Sequence, residues 1–162
     1  MRLGNRTRVS VLVSLGLAWV FVAGMLAQSD PQVGVWRLNV AKSKYTTVPS
    51  PKSGTTRIEA AGTGTSVVVD QEMSDGSKRH WEFTANYDGK DSPVKGNNPD
   101  ADTVARKRID PNTVEMVSKK GGKVTTTQTS TVSADGKTRT VRTSGVNASG
   151  QKVNNVAVYE RQ

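Results

Sequence analysis

The sequence predicts an all-β protein whose single domain, residues 28–162, is an antiparallel up-and-down β-barrel. After residue 27 the chain consists of short runs rich in Val, Thr, Ile, Tyr and Trp, with apolar residues recurring at a period near two. Pairs such as Asp75-Gly76 and Asp135-Gly136 separate these runs and favour tight turns. Apart from one helical turn expected at residues 41–45, no amphipathic helix is present to connect parallel strands.

The spacing of the turns predicts about nine strands in one domain. They are expected near residues 33–40, 55–61, 65–73, 77–87, 103–109, 113–119, 123–133, 137–145 and 153–161. Nine antiparallel strands must either split into a sandwich or close on themselves. Evenly spaced tight turns favour closure, because a sandwich usually needs longer links. Residues 41–54 and 88–102 form the long connections.

The first 27 residues have the composition of a secretory signal helix. Arg2, Arg6 and Arg8 precede an apolar run from Val9 to Ala27, and no acidic residue occurs before Asp30. We expect cleavage after Ala27 and a periplasmic or secreted protein; the alternative is an uncleaved membrane anchor, since the run is just long enough to span a bilayer. Removing the three Arg lowers the formal charge from +9 to +6.

Two rows of apolar residues are predicted to face the barrel interior. Strand alternation puts Trp81, Phe83, Ala85 and Tyr87 on one face, and a second row begins at Trp36. These rows either fill a packed core or line one wall of a cavity.

The segment VTTTQTSTV, which begins at Val124, forms a strand in which neither face is predominantly apolar. One side carries Thr at positions 125, 127, 129 and 131, and the other carries mainly Thr126, Gln128 and Ser130. A dry core could not accept so many hydroxyls without partners. The segment therefore lines a wet interior, or else it has one solvated side and one lightly buried side.

The opening GVWRLNVAKSKY and the closing VYER resemble lipocalin-like and fatty-acid-binding-protein-like chains of the calycin group. The opening matches at Gly34, Trp36, Leu38, Ser43 and Tyr45, and the end matches at Tyr159, Glu160 and Arg161. The resemblance implies a barrel whose closed end is plugged by Trp36 and a leaning toward small-molecule binding. Members that grip a fatty-acid carboxylate place an Arg two residues before the closing Tyr, where this chain has Ala157.

We therefore expect a non-catalytic, exported, lipocalin-like binding protein for a small, partly apolar molecule. Its apolar walls are predicted to be Trp36, Trp81, Phe83, Tyr87 and Tyr159, with Arg106 or Arg142 as polar contacts. We expect a monomer without cofactor or metal, and membrane contact only through the signal segment.

The alternative is an interaction protein without a cavity. Basic residues concentrate in the second half of the chain, and a basic strand face would bind anionic envelope polysaccharide or lipid head groups. Nucleic acid is not expected, because aromatic residues are not interleaved with these charges.

Catalysis is not expected, because the chain has no Cys and His80 is its one His. His80 is predicted to be a solvated side chain near Glu82. The acids at positions 70, 72, 75, 100 and 102 offer oxygen ligands of the kind calcium prefers, but we expect them to be solvated.

Overall fold

A computed structural model describes residues 29–162, so the predicted signal helix of residues 1–27 lies outside the described residues. Within residues 29–162 the chain forms eleven strands, and none of this part is a helix able to cross a bilayer. The strands are β1 Gly34–Lys44, β2 Pro51–Ala61, β3 Gly64–Met73, β4 Lys78–Asn86, β5 Asp88–Pro93, β6 Lys95–Gly96, β7 Thr103–Asp110, β8 Thr113–Lys120, β9 Lys123–Val132, β10 Thr138–Val146 and β11 Lys152–Arg161.

The strands form one antiparallel sheet that curls into a nearly closed barrel, as the sequence predicts. Its order is β5-β7-β8-β9-β10-β11-β1-β2-β3-β4-β6, so the nine longer strands are neighbours in chain order. The last strand pairs with the first, and Trp36 lies opposite Arg161 while Leu38 lies opposite Tyr159. This pairing joins the first and last strands of the domain in one continuous sheet.

The remaining seam lies between β4 and β7 and is filled by the predicted long connection 88–102. β5 pairs with β7, and the two-residue β6 pairs with β4 at Trp81 and Glu82. Asp88-Gly89, another Asp-Gly pair of the kind that favours a tight turn, forms no hairpin turn, because both residues belong to β5, which pairs with β7 rather than with β4. One stretch of chain thus bridges the two edges of the sheet.

The helical turn predicted at residues 41–45 is wrong. β1 continues to Lys44, and its pairing with β11 shifts register between Asn39 and Lys44. The Ser43 hydroxyl donates to the Asn39 carbonyl at 2.7 Å and accepts from the Val158 N–H at 2.9 Å. A bulge bonded to the neighbouring strand therefore replaces the helical turn.

The barrel has a closed end and an open end. At the closed end, residues 29–33 cross beneath the strands, and the side chains of Gln32 and Trp36 are fully buried. At the open end lie the connections 45–50, 74–77, 97–102, 121–122 and 147–151. Gly121 and Gly122 have φ values of 55° and 76°, the left-handed conformations that a two-residue hairpin turn requires.

Candidate functional site

A cavity of about 200 Å³ lies inside the barrel. One wall is apolar and comes mainly from β3, β4 and β7. Strand alternation points these side chains inward, as predicted for the row that begins at Trp81. The apolar wall includes Val67, Val69, Met73, Trp81, Phe83, Val104 and Met116.

The opposite wall is polar, and it comes mainly from β9. Thr126, Gln128 and Ser130 border the cavity, whereas Thr127 and Thr129 point to the outside. One side of this Thr-rich strand therefore borders the cavity, and the other side faces outward. Thr125 departs from the expected alternation because of a bulge opposite Ser118, and its hydroxyl donates to the carbonyls of Asp100 and Ser118.

Beneath the floor of the cavity, the segment that precedes β1 closes the end of the barrel. The Gln32 amide donates to the carbonyls of Asn112 (2.9 Å) and Ser130 (3.2 Å), and its oxygen accepts from the Ser130 hydroxyl at 2.9 Å. The Trp36 indole N–H donates to the Gln32 carbonyl at 2.9 Å, and the Arg161 guanidinium covers the Trp36 ring at 4.2 Å. These contacts seal the closed end.

Arg106 on β7 projects from the strand into the deep part of the cavity, where it is only 3% exposed. Its guanidinium lies 4.8 Å from the Tyr87 ring centre and 5.9 Å from that of Phe83, and it donates to the Thr65 hydroxyl. Burial lowers the pKa of Arg106 from its usual value. The side chain is thus a cation held by aromatic faces and one hydroxyl.

Arg139 on β10 is a second cation at the bottom of the cavity and is 9% exposed. Its Nε donates to the Ser130 hydroxyl at 2.7 Å and the Gln32 amide oxygen at 3.2 Å, and its guanidinium lies 5.5 Å from the Tyr159 ring centre. Burial, with a smaller contribution from nearby Arg106, lowers the pKa of Arg139 to about 10. It therefore remains charged at neutral pH.

Neither buried Arg forms an ion pair with any acid in residues 29–162. The acid closest to the floor, Asp30, is instead bound by the Arg108 guanidinium at 2.5 Å and the Tyr87 hydroxyl at 2.6 Å. Burial raises the pKa of Asp30, but the hydrogen bonds from Tyr87, the Gln32 N–H and Arg108 outweigh it and lower that pKa overall. The cavity floor thus carries excess positive charge.

Two tyrosines add hydroxyl groups to the same interior. Tyr159 lies on β11 directly opposite Arg139, and burial raises its pKa. In the described part of the chain, the Tyr45 hydroxyl is the one buried side-chain polar atom without a hydrogen-bond partner, and Tyr45 borders the cavity. A polar group within the cavity would satisfy this hydroxyl.

The mouth of the cavity is narrowed by the segment 97–102. The Asn97 side chain donates to the Lys78 carbonyl at 3.0 Å, and the Asp100 carboxylate accepts from the Ala148 N–H at 3.1 Å. Ala101 is buried in the core, and Asn98, Pro99 and Asp100 border the cavity. The segment therefore runs across the open end from β4 to the β10–β11 turn.

Of the predicted site residues, four border the cavity and three do not. Trp81, Phe83, Tyr159 and Arg106 line it. Trp36 lies beneath the floor rather than in the wall. Tyr87 follows the end of β4, so its ring sits at the closed end between Arg106 and Arg108. Arg142 is exposed on the outer face, because alternation that turns Val141 inward turns Arg142 outward.

Sequence reasoning missed Arg139 as a site residue. Arg139 lies on the same, inward-facing side of β10 as Val141 and Thr143, both of which border the cavity. The alternation of side chains along β10 could have identified it from the sequence, because alternation from Val141 turns Arg139 inward and Arg142 outward.

Within residues 29–162 the acids and the single His do not gather into one cluster of metal ligands. His80 is exposed, as predicted, and its Nδ1 lies 2.7 Å from the Asp70 carboxylate. Glu72 pairs with Lys52, and Asp75 accepts from Ser77. Residues 29–162 hold no group of three potential metal ligands of the His, Cys, Asp or Glu type.

The fold is compatible with a calycin-like barrel. No family model matches this chain, and no curated protein is significantly similar to it.

Proposed function

We propose that the protein is an exported, non-catalytic, lipocalin-like binding protein whose cavity holds a small amphipathic anion. The observation that carries the proposal is the pair of buried guanidiniums, Arg106 and Arg139, which border the cavity without an acidic partner in residues 29–162. The apolar wall opposite them would receive the hydrocarbon part of the same molecule.

The energetics favour an acidic group next to these two Arg. Burying a charge without an ion-pair partner is costly, and here aromatic faces, hydroxyls and, for Arg106, the nearby Asp30 carboxylate compensate for only part of that cost. An acidic group that accepts from either guanidinium forms charge-assisted hydrogen bonds, each stabilising by about 1.5–3 kcal/mol. Binding of an anion therefore offsets part of the electrostatic cost of burying the two guanidiniums.

The cavity volume favours a small ligand. About 200 Å³ is less than the roughly 300–1,000 Å³ of sites for drug-sized molecules. A short-chain or single-ring acid would fit inside. A longer chain would have to extend past Pro49 and Pro99 through the mouth.

Membership of the lipocalin superfamily is part of this proposal. The matching opening and closing strands support it, as does the antiparallel pairing of β11 with β1. The Arg that is missing at Ala157 has a counterpart in Arg139, which lies on the neighbouring strand directly opposite Tyr159. The cation thus comes from β10 instead of β11.

The basic residues of the second half are distributed in a way that favours the container over a basic strand face. Arg106 and Arg139 point inward, Arg108 binds Asp30, and Lys119 binds Asp91 at 2.8 Å. Lys107 on the outer face lies opposite Glu115. The outer surface of these strands is therefore less basic than the sequence alone indicates.

The test is a pair of probes with the same chain and different heads, octanoate and octanol. Trp81 borders the cavity and is partly buried, so its emission is expected to change when octanoate binds. We expect octanoate to bind at least 10-fold more tightly than octanol, and Trp81→Phe to remove the emission change. Equal affinities for the two probes, or no binding of either, would refute the proposal.

A further inference from the structure

The exposed apolar side chains of the barrel are concentrated at its open end. Val48, Val124 and Val146 are 75%, 61% and 48% exposed, and they are three of the five large hydrophobic residues exposed in the described part of the chain. Val48 lies in the connection 45–50, Val124 follows the β8–β9 turn, and Val146 precedes the β10–β11 turn.

These three valines lie on neighbouring elements. β9 pairs with β10, with Thr126 opposite Gly145, so the strand ends that carry Val124 and Val146 are adjacent. The Thr46 N–H donates to the Asn155 side chain at 2.8 Å, and this contact holds the connection 45–50 against the start of β11. The valines therefore form one side of the rim around the mouth.

Lysines surround the same rim. Lys120, Lys123 and Lys152 lie on the two hairpin tips, and Lys44 lies at the end of β1. All four are exposed, and none forms an ion pair with an acid in residues 29–162. We call this set the rim patch: Val48, Val124, Val146, Lys44, Lys120, Lys123 and Lys152.

The two ends of the barrel differ in charge. The closed-end hairpin turns near residues 111 and 135 carry Asp110, Asp135 and Lys137, whereas the β8–β9 and β10–β11 tips carry lysines and no acid. The third open-end hairpin turn, 74–77, carries Asp75, which accepts from the N–H and the hydroxyl of Ser77. Asp100 and Asp102 lie near these tips, but their carboxylates accept from the N–H groups of Ala148 (3.1 Å) and Gly121 (2.8 Å). The side of the open end that is formed by the β8–β9 and β10–β11 tips therefore presents positive charge outward.

We propose that the rim patch docks the open end of the barrel onto the surface of an anionic lipid bilayer. Exposed apolar side chains ringed by lysines match the interfacial zone of such a bilayer, where the apolar groups enter the headgroup boundary and the lysines meet phosphates. The positive charge of the lysines matches the negative charge of the lipid phosphates and so identifies the partner. This docking adds a second membrane contact to the one predicted for the signal segment. The mouth would then face the lipid phase. The docking rests on the rim alone and not on the ligand of the cavity.

The test measures co-sedimentation of ligand-free protein with vesicles. A chain of residues 28–162 is suitable, because the barrel and its core lie within residues 29–162 and the apolar segment 9–27 would bind lipid by itself. We expect binding to vesicles of equal parts phosphatidylglycerol and phosphatidylcholine, and little binding to phosphatidylcholine alone. Each lysine near an anionic membrane surface raises the affinity for that membrane about fivefold. Lys120→Glu with Lys123→Glu should therefore weaken binding more than 25-fold.

Matched variants at the closed end control for overall charge and exposed apolar area. Lys107→Glu with Lys137→Glu makes the same change of charge and should lower binding no more than about threefold, as a long-range effect. Val48→Ser with Val124→Ser should weaken binding several-fold, whereas Ile109→Ser at the closed end should not.

Equal losses from the two pairs of charge reversals would overturn the proposal, as would the absence of vesicle binding by the parent chain. Retention on immobilised heparin that depends on Lys120 and Lys123, without binding to vesicles, would also overturn it and assign the patch to a soluble anionic polymer. Octanoate binding, followed at Trp81, should be unchanged in every rim variant. The two proposals can therefore fail separately.

Discussion

Replacing Arg106 by Met should make the barrel more stable and its binding weaker. The substitution removes the hydrogen bond to Thr65 and the contacts with the rings of Tyr87 and Phe83, which together stabilise by about 2–3 kcal/mol. It also removes a buried cation without an acidic partner, whose desolvation costs several kcal/mol. Met keeps most of the side-chain volume, so we expect a net gain of about 1–3 kcal/mol in the free energy of unfolding.

The assay combines urea unfolding, thermal unfolding and octanoate titration. For a domain of this size, about 1 kcal/mol corresponds to a change of roughly 3–5 °C in Tm, so Tm should rise by about 3–15 °C. Octanoate affinity should fall about 10- to 100-fold, while octanol affinity stays within about threefold. Arg142→Met makes the same chemical change on the exposed outer face and should alter stability by less than about 0.5 kcal/mol. A destabilised Arg106→Met that still prefers octanoate would refute the reasoning, because Arg106 would then be structural.

Three further predictions concern the closed end and the mouth. Trp36→Ala should lower the free energy of unfolding by about 3–5 kcal/mol in urea titrations, and a loss below about 1 kcal/mol would contradict the role of Trp36 as a plug. Asp30→Asn should cost about 1–2 kcal/mol at pH 7. Because the pKa of Asp30 is depressed in the folded protein, the stabilisation by its carboxylate is fully present above the unfolded pKa near 3.9 and is lost as pH falls through the lower folded pKa. The difference between parent and variant should therefore shrink as pH falls below about 3.9, and a constant difference would rule out an ionic effect. Asp100→Ala removes the bond to Ala148 and should speed octanoate entry several-fold in stopped-flow fluorescence, whereas an unchanged rate would show that residues 97–102 do not limit entry.

Most of the barrel could be predicted because its determinants are local. Alternation assigned Trp81, Phe83 and Ala85 to one inward row, and pairs such as Asp75-Gly76 located the hairpins. All nine predicted strands are present, and two short strands occupy the predicted long connection. The register of each hairpin follows from its turn, so neighbouring strands could be ordered without distant information.

The site was harder to predict, because it depends on contacts between distant parts of the chain. Asp30 could not be matched to Tyr87 and Arg108 until β4 and β7 were brought to the same end of the barrel. The bulge at Thr125 breaks the alternation by which inward and outward residues are counted. The inward position of Arg139 could be predicted from the alternation of side chains along β10. Its role as a cation without an ion-pair partner could not, because that role depends on the acids lying outside the cavity in the folded barrel.

The pairing of Trp36 with Arg161 has a consequence for how the protein is made. The sheet cannot close until the final strand has been synthesised, because β11 fits between β10 and β1. Contacts between the first and last strands carry a large loop-closure entropy, which delays folding relative to proteins built from local contacts. Under the export that we propose for this chain, the polypeptide would have to cross a membrane before it folds, and this delay would keep it unfolded for that passage.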